Sequence, residues 1–154
     1  MSDDPHRLER FVAAQDDGDV YGRAVAELRE GRKAGHWMWF VFPQIAGLGR
    51  SEMAARFAIT SMDEAKAYLE HPLLGPRLEE CAGILTQLGG PSAREIFGVT
   101  DEMKLRSSMT LFACAAPDRP VFEQVLTQYF GGIPDSHTLR RLPPTDRGGL
   151  MATR

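Results

Sequence analysis

Signals that start and stop a helix recur at short intervals along this chain, and they leave little room for anything but a bundle of short helices. Asp4-Pro5 is a cap and first-turn pair ahead of an apolar stripe at Leu8, Phe11 and Val12. The spacing predicts a second helix from about Asp19 to Glu30, with Val20, Ala24 and Leu28 on one face and Gly31 as its stop. Ser51 can cap a third, and Ser61-Met62-Asp63-Glu64 has capping-box form, opening a helix that ends near Glu70, before Pro72. Pro76 opens a helix with Leu78, Cys81, Ala82, Leu85 and Leu88 at three- and four-residue spacing, closed by Gly89-Gly90-Pro91. Ser92-Ala93-Arg94-Glu95 repeats the capping box and starts a short turn ending at Gly98; Thr100 can cap the next helix, to about Ala115. Pro120 suits the first turn of a helix ended by Gly131-Gly132, and Asp135 can cap a last one bearing Leu139 and Leu142. The expectation is an all-α, compact single-domain bundle of about eight short helices over residues 1–143. Residues 144–154 follow Pro143-Pro144, lack anything to bury, and read as a flexible tail.

At 154 residues, with 25% charged and 43% apolar side chains, the chain is long enough for one domain with a sizeable core. Folding at that length removes roughly 70% of the unfolded surface from water. The longest apolar stretch, Trp37 to Phe42, is far short of the roughly 20 residues that a bilayer span demands. The first residues are acidic and lack an apolar targeting core, so a cytoplasmic protein without a membrane partner is expected. A net charge of −3 argues against nucleic acid as a partner, since phosphate contacts normally demand a basic face. Arg29, Arg32, Lys33 and His36 still make a local basic patch beside the aromatic run. Cys81 and Cys114 lie far apart on apolar faces and read as buried free thiols. His6, His36, His71 and His137 are scattered, with no pair spaced to ligate a metal, and no cofactor or hydrolase motif occurs.

Gly35-His36-Trp37-Met38-Trp39-Phe40-Val41-Phe42-Pro43-Gln44 holds both tryptophans, two phenylalanines and a histidine. Aromatics this dense anchor a core or wall a pocket. Its periodicity suits a buried helix and its composition suits a strand; the helical neighbours favour a helix.

Several motifs in order resemble one known family. They are Phe11-Val12-x-Ala14-Gln15, the aromatic run through Gln44, Gly47-Leu48-Gly49, His71-Pro72-x-Leu74-Gly75, Asp101-x-x-Lys104-Leu105-x-Ser107-Ser108-Met109-Thr110-Leu111-Phe112 and Tyr129-Phe130. Over about residues 6–142 the chain is similar to the domain of unknown function 1810 family. The resemblance implies a compact all-helical domain of bacteria and some fungi and implies no established activity. The label calpastatin that some members carry does not suit this chain, because that inhibitor resembles a disordered repeat protein and this chain has the apolar mass for a core.

Two constellations could carry chemistry. Lys33, His36, Trp37, Trp39 and Gln44 combine indole faces, cations and an amide, which would suit a small anionic or nucleotide-like ligand. The same aromatics could equally be core, with the histidine structural. Asp101, Lys104, Ser107, Ser108 and Thr110 share one expected helix, with Lys104, Ser107 and Ser108 on adjoining positions of one face. Mid-helix hydroxyls also let a second helix approach, bonding back to the chain, and the serine and lysine order is the reverse of the acyl-transfer S-x-x-K. The leading expectation is a small-molecule binding domain, with or without catalysis, whose ligand sits between the His36-Trp37 segment and the Lys104-Ser108 face. Its rival is a non-catalytic protein-interaction or homodimeric scaffold module, with monomer or homodimer left open. A third reading makes Ser107 or Ser108 the nucleophile of a hydrolase.

Overall fold

Side-chain oxygens cap four helix starts, and left-handed glycines close two helix ends. Ser51 Oγ accepts from the N–H of Ala54, Ser61 Oγ from Glu64, Ser92 Oγ from Glu95 and the Asp135 carboxylate from Thr138. Gly31 (φ 72°) and Gly131 (φ 63°) close their helices in the conformation that glycine alone adopts without penalty. In the computed structural model, which describes residues 4–148 and 150, these signals delimit nine α-helical segments and two 3-10 turns. They are α1 (Glu9–Asp16), α2 (Val20–Glu30), α3 (Met38–Val41), α4 (Glu52–Arg56), α5 (Met62–Glu70), α6 (Leu74–Gln87), α7 (Ala93–Ala115), α8 (Val121–Phe130) and α9 (Ser136–Arg140), with turns at Asp17–Asp19 and Pro144–Asp146. The fold is all-α. No helix among the described residues is long and apolar enough to cross a membrane.

A file of rings runs through the bundle and fixes how the helices stack. Phe122 of α8 lies 5.9 Å from Phe112 of α7, which lies 5.4 Å from Tyr68 of α5. Tyr68 meets Phe11 of α1 edge-on at 5.1 Å; Phe57 follows at 5.7 Å and Phe40 of α3 at 5.3 Å from Phe57. Each such pair contributes about 0.5–1.5 kcal/mol beyond the area it buries. Burial pushes the Tyr68 phenol well above its ordinary range. Gln15, also buried, ties this file to the backbone by donating to Phe40 O at 2.7 Å and to the Tyr68 hydroxyl at 3.3 Å. Both cysteines are free and buried, and desolvation pushes each thiol up to about 12, so neither is a ready nucleophile.

The structure refines the local expectations. The aromatic run yields only the four-residue α3, because Pro43 removes a backbone donor and the chain then turns into an isolated parallel bridge between Ile45 and Ile59. Gly98 (φ 85°, ψ 169°) is non-helical and divides α7 into the short Ser92-capped turn and the longer helix that runs to Ala115, as the sequence suggests. The Ser61 box closes on one side only, because the Glu64 carboxylate accepts from Thr60 N at 3.0 Å and from Arg10 at 2.9 Å instead of from Ser61 N. His71, at the end of α5, serves the next helix. Its Nδ1 accepts from the N–H groups of Leu73 and Leu74.

The tight corner between α5 and α6 rests on Gly75, where a Cβ would stand 2.0 Å from the carbonyl oxygen of Leu69. Of the expected tail, residues 144–146 form a turn, Arg147 donates to Leu139 O at 2.8 Å, and Leu150 packs against the core. Residues 149 and 151–154 lie outside the described residues, as do 1–3.

Candidate functional site

The two segments singled out in the sequence do meet, and most of their polar atoms are used in the meeting. Lys33 Nζ contacts Asp101 Oδ2 at 2.8 Å, and Lys104 Nζ contacts Asp101 Oδ1 at 3.2 Å, so one carboxylate clamps a lysine from each segment. Each ammonium also lies over an indole: Lys33 at 5.2 Å from the Trp37 ring and Lys104 at 4.7 Å from the Trp39 ring. Trp37 is 1% exposed and packs against Phe42 and Phe97. Its indole N–H donates to Glu27 Oε1 at 2.8 Å, and the same oxygen accepts from the backbone of Ala34 and Gly35. Desolvation works to raise the Glu27 pKa, but those N–H groups, the indole and the nearby Lys33 together hold it below its ordinary value.

This knot corrects the expectation of one shared pocket. Trp37 is sealed, Trp39 is half-buried beneath Lys104, and His36 is exposed. Ser107, Ser108 and Thr110 are buried, and the hydroxyls of Ser107 and Thr110 serve the fold. Thr110 Oγ1 donates to Arg106 O at 2.8 Å and accepts from Asp135 N at 2.8 Å; Ser107 Oγ contacts Met103 O at 3.0 Å and Asp135 Oδ2 at 3.1 Å. Ser108 Oγ is wholly buried with no hydrogen-bond partner among the described residues. Lys104 is bound to Asp101 and makes no hydrogen bond to either serine among the described residues, so it does not serve as the base of a serine nucleophile in this arrangement.

An open site lies further along the same two segments. A cleft of about 340 Å³ is lined by Gln44, Gly47, Leu48 and Arg50 on one wall and by Met103, Ser107, Asp135, His137 and Arg141 on the other. The Ile45–Ile59 bridge positions the first wall: Ile59 N donates to Gln44 O and Ala46 N to Ile59 O, both at 2.8 Å. The second is set by Asp135, whose Oδ2 caps α9 and accepts from the hydroxyls of Ser107 and Thr138 as well. Arg141 crosses between the walls and donates to Gly47 O at 3.0 Å, and Gly47 itself takes φ 96°, a conformation that L side chains rarely adopt. Arg50 and His137 are exposed and make no hydrogen bond or ion pair among the described residues. Two guanidinium groups and an imidazole thus surround one internally satisfied carboxylate, an arrangement suited to an anion. Of the sequence-derived site residues, Gln44 and Ser107 line this cleft, whereas Lys33, His36, Trp37, Trp39, Lys104, Ser108 and Thr110 do not. Arg50 and Arg141 escaped the sequence reading because isolated arginines in loops carry no spacing signal.

Comparison with known families matches residues 5–142 to the one described as Protein of unknown function (DUF1810). The chain belongs to this family. It is also similar to the crystal structure of the conserved hypothetical protein Rv1873 from Mycobacterium tuberculosis. The identity is 55%, the TM-score 0.88, and the match covers 90% of this chain and 98% of that chain. No curated protein matches. Within this DUF1810 chain the motif residues divide by role. Trp37, Met38, Phe40 and Phe42 are core, and Gln44, Gly47, Leu48 and Ser107 line the cleft.

Proposed function

We propose that this DUF1810 protein is a small-molecule binding domain that takes an anionic group, a phosphate or carboxylate, in the cleft between the 44–50 loop and the α7–α9 wall. The carrying observation is that two guanidinium groups, Arg50 and Arg141, and the His137 imidazole line a cleft with a single carboxylate, whose Oδ2 already accepts from Ser107 and Thr138. Guanidinium forks bind such oxygens bidentately, and the Gln44 amide at the rim adds a neutral donor and acceptor. The two buried thiols support a cytoplasmic setting, where no disulfide forms. Calorimetric titration with inorganic phosphate should give saturable binding that weakens about tenfold or more in Arg50→Ala and in Arg141→Ala, the loss expected for one charge-assisted contact. Wild-type affinity in both variants would remove the reading.

A specific observation favours a second reading, an interaction or homodimer module. Among the described residues, Val99, Met103 and Ile133 are the exposed large hydrophobics, at 60%, 51% and 47%, and the Arg106 contact to Ile133 O holds the last beside α7. Sedimentation at micromolar concentration should show a dimer that Met103→Glu dissociates if that face is an interface.

A further inference from the structure

The cleft of the proposed anion site has a neighbour on the far side of Arg141. That second cavity, of about 500 Å³, is lined by Ile45, Met62, Leu142, Thr60, Asp63, Arg140, Arg141 and Asp146, among others. Arg141 lines both hollows, and one loop gives Ile45 and Ala46 to the second and Gly47 and Leu48 to the first. Their chemistry differs. The first has two guanidiniums and an imidazole against one satisfied carboxylate. The second sets Arg140 and Arg141 against Asp63 and Asp146, so its charges balance. Its apolar floor, Ile45, Met62 and Leu142, is aliphatic and buried. Neither cavity is lined by Phe, Tyr or Trp, so neither offers a stacking platform for a nucleobase.

We infer that the two hollows form one bipartite site for a phosphorylated sugar or polyol, its phosphate on the Arg50 side of Arg141 and its hydroxyls on the Asp63 and Asp146 side. This rests on the anion reading above and adds the identity of the ligand's uncharged end. Carboxylates accept from vicinal hydroxyls, a guanidinium donates to their oxygens, and an aliphatic floor fits the C–H face of the chain or ring. A nucleotide would leave its base without a partner surface.

The full chain is titrated by calorimetry with inorganic phosphate, glycerol 3-phosphate, glucose 6-phosphate and adenosine monophosphate. The expected result is that at least one of the two polyol phosphates binds ten times more tightly than inorganic phosphate. Asp63→Asn with Asp146→Asn should erase that margin and leave the affinity for inorganic phosphate unchanged, with circular dichroism confirming the fold. Equal binding of all the phosphates, or tightest binding of adenosine monophosphate, overturns the bipartite site and leaves the anion site standing. No binding by any of the four overturns both. Arg140→Ala provides an independent variant on the hydroxyl side, expected to act like the aspartate pair.

Discussion

The knot around Trp37 and the cleft beside Ser107 join the same two stretches of chain and end in opposite states. In the knot, donors and acceptors answer one another: Glu27 receives an indole and two backbone N–H groups, and Asp101 holds Lys33 and Lys104. In the cleft Asp135 and Arg141 have partners, while Arg50 and His137 have none among the described residues and stand at the edge of an open hollow. The density of aromatic residues, which drew attention to the first region, is what closes it, since large rings gain most when water leaves. Ligand-facing atoms therefore fall to the sparser loop that follows, where Pro43 has ended the helix and the backbone turns on Gly47.

The contrast can be broken by substitution. Trp37→Ala should cost about 3–5 kcal/mol in urea unfolding, the range for removing a large buried ring, without changing phosphate affinity of the folded protein. A loss below about 1 kcal/mol would mean that the knot is not core. Asp135→Ala should cost about 2–3 kcal/mol, because the Ser107 and Thr138 hydroxyls and the Thr138 N–H lose their acceptor together. Measured in parallel, phosphate binding should strengthen or stay level as a negative charge leaves the wall.

Glu27→Gln should cost about 1–2 kcal/mol at neutral pH, since a charged acceptor of three N–H groups becomes neutral. The sign of its pH dependence follows from its depressed folded pKa. The contribution is fully present above the ordinary value of 4.5 and disappears as pH falls through the lower folded value. Stability curves of wild type and variant should thus converge on acidification. The smallest effect on stability is expected for Arg50→Ala, within about 0.5 kcal/mol by thermal unfolding, as befits an exposed side chain. That variant sharpens the comparison most, because its phosphate binding should fall while its melting point stays.

Helix boundaries were legible wherever one side chain acts on its own neighbours. Ser51, Ser92, Asp135, Gly31 and Gly131 do what their local sequence says. Reading failed where a second partner competes, whether distant or just across a helix boundary. Glu64 was drawn from its box by Arg10, 54 positions away, and His71 turned toward Leu73 and Leu74 across a helix boundary. The meeting of the Lys33 and Lys104 segments was legible as two polar faces seeking a partner, but Asp101 as their shared clamp is a tertiary fact. Gln44 and Ser107 were found through the resemblance and their chemistry. Arg50, His137 and Arg141 come from loops and a short helix whose placement depends on the Ile45–Ile59 bridge, a single contact that leaves no periodicity to read.

The corner at Gly75 has a consequence for how this family can vary. Even a methyl group there would collide with the Leu69 carbonyl, and neither atom belongs to a flexible side chain that could swing aside. The whole of α6 would have to slide, carrying with it the carbonyls of Leu85 and Leu88 that anchor Gln128 and Tyr129 of α8. One hydrogen atom in place of a side chain thus sets the distance at which half of the bundle is hung.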